Sequence, residues 1–598
     1  MRNGEVDEDK VEDGAFSNAI PMFDETGTNR ARRPLFRIKS ASIKWTIQRK
    51  APDAELEHRL TGKCEPIAFV CGMPLFYCAI LAGVAVQRVA NAWKRPPSPA
   101  GEPKKQPLVY LDYSIPSTTI HIAFPLKEHM FVYLGPTSIS HNENRSLKMD
   151  LDQVLAYVPS TSPREKGQWH EFGLIKRLSV AKDSTDSINP INVGMEAFRI
   201  RVPVGYQISN LVLNVTASIK GLKLIMENLK SGKFNTRKSP AAEQPKDCPP
   251  VVISIQEVSL EAKDNPIEER LNLIWRVGMA EQAQRIDMED KFNRKTEAIQ
   301  EYERLLKLGE ITPDDVEDDE ITPWHRRQPH ITREWLDQYW SDRWIARIDA
   351  ANAEQKRRER LASNRLHTAN RDLKLPISIA HLALSAPLFR ASFQNFKLSV
   401  ENPGMSRDEI IEYMGDVSSS PFDDGTEFSL MVPLHLKWDM GSARVSLRDY
   451  PLPLVNVRPL DDGRPAWTLD TTFIIAEELH DDDSTMYVPC EIIPAGLGDS
   501  DASSFVVEVF KTISPVKTYT RPHIKIHSTR TTEFTWGNSM QPAIQDFMKV
   551  METLSHAQID PSPRIGFWDK FRLILHWVVK VDFEGPVHLH LKGKREFR

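Results

Sequence analysis

The longest unbroken alternation in the chain runs from Phe428 to Met440. Phe428, Leu430, Val432, Leu434, Leu436, Trp438 and Met440 are apolar, and the residues between them are mostly polar. Seven consecutive period-two matches predict a strand, or a pair of strands, with one water-avoiding face. At about 3.3 Å per residue it would approach about 40 Å, against ~17–20 Å for an ordinary strand. Pro433 cannot donate to a ladder, so a bulge or an edge is expected there. Gly441–Ser442 permits a turn, after which Ala443, Val445 and Leu447 resume the alternation on a returning strand. The same period recurs at Ile120, Ile122, Phe124 and Leu126, at Leu147, Met149 and Leu151, and at Phe198, Ile200, Val202 and Val204. Leu211, Leu213 and Val215 repeat it, and Phe36–Gln48, Trp467–Ala476, Phe505–Ile513 and His523–His527 also read as strands. Alternation leaves open whether protein or another apolar material covers the faces it creates.

Helical signals interrupt this pattern. Asn265 suits a cap with Glu268 at capping-box spacing, Pro266 suits the first position, and a helical pattern follows to about Leu308. Trp335, Tyr339, Trp340, Trp344 and Ile348 then recur at helical spacing, which fits core packing or an interfacial anchor. The basic run Lys356–Arg360 fits a solvated helix face or phosphate contact. The chain therefore divides into an acidic, disordered 1–33; short strands with an apolar stretch at 66–86 over 34–94; and a linker at 95–107. Strands with a short helix at 219–229 follow over 108–264. A helical excursion spans 265–373, and strands with a helix at 541–554 fill 374–598. The fold class expected is α+β, mostly β.

Residues 66–86 carry no charge and are long enough to span a bilayer, with Arg88, Lys94 and Arg95 after them. Gly72, Pro74 and Gly83 suit a buried segment equally. Cys64, Cys71 and Cys78, seven apart, would share one face of a helix. Five cysteines without a CxxC point to a reducing compartment, and the polar, acidic start is unlike a secretory signal. With 77 basic and 82 acidic residues the net charge is -5, so no global basic field invites nucleic acid. His588 and His590 share a strand face but lack further zinc ligands nearby. His480 with Asp481, Asp482 and Asp483 reads as a charged loop. No nucleophile elbow, Walker loop or H-E-x-x-H occurs. No catalysis, metal or cofactor is expected.

Several long motifs carry a family resemblance. These are Asn265–Arg285 (NPIEERLNLIWRVGMAEQAQR), Arg444–Val457 (RVSLRDYPLPLVNV) behind Phe428–Met440, and Arg564–His576 (RIGFWDKFRLILH) followed by His588–Gly593 (HLHLKG). Phe198–Tyr206, Ile513–Tyr519 and Trp536–Asp546 agree in order. Together they resemble the fungal cold-sensitive-fermentation, or fermentation-associated, proteins, relatives of animal Tweek in the bridge-like lipid-transfer, repeating β-groove family. The resemblance implies an elongated series of curved antiparallel sheet modules whose apolar concave face conducts glycerophospholipids between membranes at contact sites, the endoplasmic reticulum among them. On that reading the groove is lined by Phe428, Leu430, Val432, Leu434, Leu436, Trp438, Met440, Phe198, Ile200, Val202, Ile120, Ile122 and Phe124. The partners are then phospholipids, two membranes and the remainder of the groove rod. Family members are several times longer, and Trp577 stands where a Gly is expected, so the chain is expected to be a fragment. The competing expectation is a membrane-associated tether or scaffold that moves no lipid.

Overall fold

The computed structural model describes residues 36–49, 56–92, 108–126, 128–141, 146–183, 189–231, 241–312, 329–373, 376–380, 386–423, 425–448, 450–479, 485–493, 505–512, 516–555, 563 and 565–592. The readings made for 1–33, 95–107 and His480–Asp483 fall outside them. The chain is mostly β and divides into two units. One holds the sheet, and the other is the helical excursion at Asp264–Lys374 with His381–Ala386.

The alternating segments form one 24-stranded sheet. Twenty-three of its strands join end to end into thirteen rows, and the two-residue strand Ser378–Ile379 pairs in parallel with Gln168–Trp169. The rows are β1 (Phe36–Ile38, Ala41–Arg49), β2 (Leu56–Cys64, Ile67–Gly72), β3 (Leu108–Ile115, Thr118–Ala123), β4 (His129–Leu134, Thr137–His141), β5 (Ser146–Pro159), β6 (Gln168–Asp183) and β7 (Ile191–Val202). Then come β8 (Val251–Ala262), β9 (Phe389–Glu401), β10 (Glu427–Met440, Ser442–Leu447) and β11 (Val455–Val457, Trp467–Leu479). The last are β12 (Lys517–Thr520, His523–Ile526, Thr532–Gly537) and β13 (Leu575–Trp577, Lys580–Phe583, Val587–Lys592). Neighbouring rows are antiparallel except at three parallel seams, β2–β3, β7–β8 and β12–β13. Parallel pairing demands a long crossover. All three crossovers leave one rim of the sheet, after Gly72, Val202 and Gly537, and return at the other, at Leu108, Val251 and Leu575. A five-row antiparallel unit, β3–β7, is thus repeated as β8–β12.

Each crossover opens with a helix: α1 (Met73–Ala92), α2 (Ile208–Ser231) and, after β12, α6 (Gln541–Glu552) followed by α7 (Phe567–Ile574). Three expectations change here. Leu211, Leu213 and Val215 are helical, not a strand, and the short helix expected at 219–229 begins at Ile208. Its buried Leu211, Asn214, Ala217, Gly221 and Ile225 follow a three-to-four spacing that a short alternating window hides. Of the apolar stretch at 66–86, Ile67–Gly72 is strand and only the rest is helix. Cys64 and Cys71 therefore lie in β2, and only Cys78 is helical. α1 is long and apolar enough to cross a membrane. Its first turns pack through Met73, Phe76, Tyr77 and Ile80 against other apolar side chains of the sheet unit.

Gly441–Ser442 is not a turn. β9 pairs with Glu427–Met440 and with Ser442–Leu447 in a single register, Lys397↔Asp439 through Phe389↔Leu447, so β10 is one line of chain. Pro433 lies beyond Glu401, the end of β9, which sits opposite His435, so no ladder partner is required on that side. The bulge falls instead between Phe428 and Leu430.

The break at Gly441 belongs to a larger feature. Aligning every register shows one interruption crossing all thirteen rows: 39–40 in β1, 65–66, 116–117, 135–136, then Asp152, Arg177, Glu196, Gln256, Asn395, Gly441, and finally 458–466, 527–531 and 584–586. Arg177 and Asn395 hold φ of 48° and 51° there, a left-handed conformation that ordinary side chains rarely adopt. Through β5–β10 the register is the same on both sides, so the rows lose their pairing there without an extra residue, and a line of unpaired positions across every row is where the sheet can crease lengthwise. Glycine is needed where rows meet closely at the crease. A Cβ on Gly441 would stand 3.1 Å from Asn395 Cβ, and one on Gly585 only 2.2 Å from the Ser528 carbonyl oxygen.

One face of the sheet carries conventional cores. α5 (Arg407–Ser418), held by a Ser406–Glu409 capping box, buries Ile410, Met414 and Val417 against Phe428, Met431, Ile474 and Tyr519. Met414→Ala is expected to cost about 2–5 kcal/mol, the range for a fully buried large-to-small change, read as a lower urea midpoint. On the same face His121 stacks on His129 and meets Trp169 edge-on. Burial, with the nearby His129 second, lowers the His121 pKa from 6.5 to about 4. The unfolded chain takes a proton near 6.5 and the folded one only near 4, so stability falls as the pH drops between these values. His121→Phe is expected to flatten that fall, measured as urea midpoints at pH 7 and pH 5.

In the second unit α3 (Pro266–Leu308) is capped by Asn265, whose side chain accepts the Ile267 N–H, and ends at Gly309 with φ 72°. α3 packs against α4 (Pro329–Leu373). Arg343 and Arg347 grip Glu281, and Arg285 meets Asp337 at 3.1 Å. Trp340 is buried and Trp344 lies against Gly278.

Candidate functional site: the creased apolar face

Side chains directly opposite one another across a ladder point to the same side, so the registers assign every row to a face. The face opposite α5 is apolar from one edge of the sheet to the other. In β7 it carries Ile191, Val193 and Met195, then Phe198, Ile200 and Val202. In β8 it carries Val251, Ile253 and Ile255, then Val258, Leu260 and Ala262. β9 adds Phe389, Ala391 and Phe393, then Phe396, Leu398 and Val400. β10 adds Leu430 to Met440, then Ala443, Val445 and Leu447. Charged residues on this face, such as Lys182 and Glu477, fall at row ends.

Burial is greatest at the crease and again at the rim the crossovers leave, where Ala262, Ala391 and Leu447 are buried. Next to the crease, Leu151, Ile255, Val258, Met440, Ala443, Val457 and Ile526 are buried. Away from it, Leu430, Val432, Leu434, Leu436 and Trp438 are only half-buried. A bent sheet explains this: side chains near the fold line crowd one another into a floor, and the walls above are covered locally, by α6 over Phe389 and Leu447 and by α2 over Met130 and Val158. Trp438 stacks on Trp467 at 5.8 Å and meets Phe396 edge-on. Neither Trp438 Nε1 nor Trp467 Nε1 has a hydrogen-bond partner among the described residues.

The structure gathers most of the nominated residues on this one face. Leu430, Val432, Leu434, Leu436 and Trp438 stand on a wall, and Met440 lies in the floor. Phe198, Ile200 and Val202 join them through β8 and β9. Ile120 and Ile122 share the face through Val132 and Met130. Phe124 packs at the rim with Met130 around Val158, Tyr206 and Leu211. Phe428 is the exception: the bulge between it and Leu430 shifts the alternation by one, turning Phe428 onto the other face, where it is 1% exposed under α5. His588 and His590 are exposed on that other face too, and the described residues hold no metal-ligating cluster.

Sequence reasoning missed the floor, and a signal for it was present. In each creased row the apolar period of two is broken once by a step of three: Met195 to Phe198, Ile255 to Val258, Phe393 to Phe396, Met440 to Ala443. A window that demands strict alternation treats that step as the end of a strand.

A single sheet with repeated five-row units and an apolar face that continues across all thirteen rows, covered among the described residues only in part by helices, defines a grooved β-sheet protein rather than a globular core. No solved structure matches the chain. The chain belongs to the Hobbit/FMP27/BTLP2 family, whose model matches residues 91–596, in keeping with its motif resemblance. It is 26% identical to the UPF0648 protein C3H5.09c of Schizosaccharomyces pombe over 59% of this chain and 15% of that one. It is 24% identical to "Protein FMP27, mitochondrial" of Saccharomyces cerevisiae over 70% of this chain and 18% of that one. It is 27% identical to protein YPR117W of the same yeast over 65% of this chain and 15% of that one. The chain spans less than a fifth of these relatives.

Proposed function

We propose that the chain is a non-catalytic segment of a bridge-like lipid-transfer protein, conducting glycerophospholipids along the crease between membranes at contact sites, the endoplasmic reticulum among them. The observation that carries this reading is the apolar face that continues through thirteen rows and stays half-buried along the β10 wall. Each buried methylene gives about 0.8 kcal/mol, so acyl chains settle along the crease while head groups stay at the wet rims. The indole N–H groups of Trp438 and Trp467 would find acceptors in lipid ester carbonyls, which an alkane cannot supply. The lining is chemically uniform, so no position traps the cargo. The chain purified from cells is expected to carry phospholipid, detected by mass spectrometry after gel filtration; a preparation free of lipid sinks the reading.

A further inference from the structure

The groove also has a cover. A rim hairpin, Thr485–Ile493 paired with Phe505–Thr512, is inserted between Leu479 of β11 and Lys517 of β12, on the rim to which the crossovers return. α2 starts from the opposite rim, after Val202. The two meet: Leu222, Ile225 and Leu229 of α2, with Met73 and Phe76 of α1, pack on Cys490, Ile492, Val507 and Val509. The approach is close, since a Cβ on Gly221 would stand 3.2 Å from Cys490 Sγ. Elements rooted on opposite rims and touching each other must cross the mouth of the groove. They cross it on the apolar side. Ile208 and Leu211, at the start of α2, pack with Phe124 and Met130 around Val158, and Met130 shares its face with Ile122 of the groove wall.

α2 has three sectors at about 100° per residue. One packs on α1 and the hairpin through Ala217, Gly221 and Ile225, and one carries Lys220, Lys223 and Glu227. Between them runs a stripe of Val212, Val215, Ile219 and Met226, exposed by 58%, 39%, 63% and 44%. Ile208, already seated on the groove wall, lies in this third sector. We infer that the stripe is the roof of a lipid passage, touching from above the acyl chains that rest in the crease below. This rests on the groove reading. It also explains why one helix carries an unpacked apolar stripe beside a separate polar sector, where a helix facing water on both would carry none.

The test uses the full chain loaded with a phospholipid bearing a diazirine at the end of its acyl chain, freed of vesicles by gel filtration, then irradiated and mapped by peptide sequencing. Adducts on both β10 and the Val212–Met226 stretch are expected. Adducts on β10 without α2 overturn the roof and leave the groove intact. Labelling of α2 that appears only while vesicles are present makes the stripe a membrane contact and overturns the roof likewise. A chain with no adduct anywhere overturns the groove reading and the roof together. As a second measurement, Val212→Glu with Ile219→Glu, both at exposed positions, is expected to keep the thermal midpoint. The same variant is expected to release bound phospholipid to acceptor vesicles about ten-fold faster, the equivalent of about 1.4 kcal/mol. An unchanged release rate overturns the roof.

Discussion

A chain with Leu434→Glu and Leu436→Glu is expected to lose its bound phospholipid almost completely, about 100-fold or more, while keeping its fold. Both leucines stand on the half-buried wall of β10; both pair with β11, and Leu436 also lies opposite Val400 of β9. Each substitution removes an apolar contact of about 1.5–3 kcal/mol. Each also sets a carboxylate against hydrocarbon, a further penalty of several kcal/mol per ion. Since 1.4 kcal/mol is ten-fold in affinity, two such changes exceed a factor of 100. Both positions are only half-buried, so the glutamates reach water when the cargo is absent, and circular dichroism should be unchanged. Lys437→Glu, exposed on the opposite face, is the control and should carry the parent's lipid. If the double variant retains its lipid, the wall of β10 is not where lipid lies.

Gly585→Ala is expected to open the last seam of the sheet. The new methyl would sit 2.2 Å from the Ser528 carbonyl oxygen and 3.2 Å from that of Arg530, and backbone cannot swing aside as a long side chain can. Around this point the seam is held by Glu584 N–H donating to Ile526 O at 3.0 Å and Thr532 N–H donating to Pro586 O at 2.9 Å. Losing them should lower local stability by about 2 kcal/mol and speed amide exchange in Lys580–Lys592 roughly 30-fold. Exchange in the α5 core should stay as it was. Gly83→Ala, with nothing within 4 Å of the added carbon, should change neither. Parent-like protection of β13 in the Gly585 variant would show that the crease tolerates a side chain there.

The β-rich class was legible because alternation is a local property. Phe198–Val202 and Leu430–Met440 each announce a face within a dozen residues. What those faces meet is not local. Phe428 continues the apolar alternation yet turns away, because one extra residue at Ser429 bulges the row. α2 reads partly as a strand because Leu211, Leu213 and Val215 satisfy a period of two over a short window. Its true spacing shows only across Leu211, Asn214, Ala217, Gly221 and Ile225. The turn expected at Gly441 follows from composition, since Gly–Ser usually ends a strand. Here the glycine serves instead for close approach to Asn395, a need created by β9, about 45 residues earlier in the chain.

The thirteen stacked rows set the span and the character of the path. At a strand spacing of about 4.8 Å, twelve intervals make about 58 Å, longer than a bilayer's hydrocarbon core of about 30 Å. On the proposed reading a lipid moving along it would exchange one rung for the next, so the rungs would act like resistors in series. Shaving a methyl group from any rung barely alters the total. One rung made forbidding throttles the whole line, wherever along it the obstacle stands.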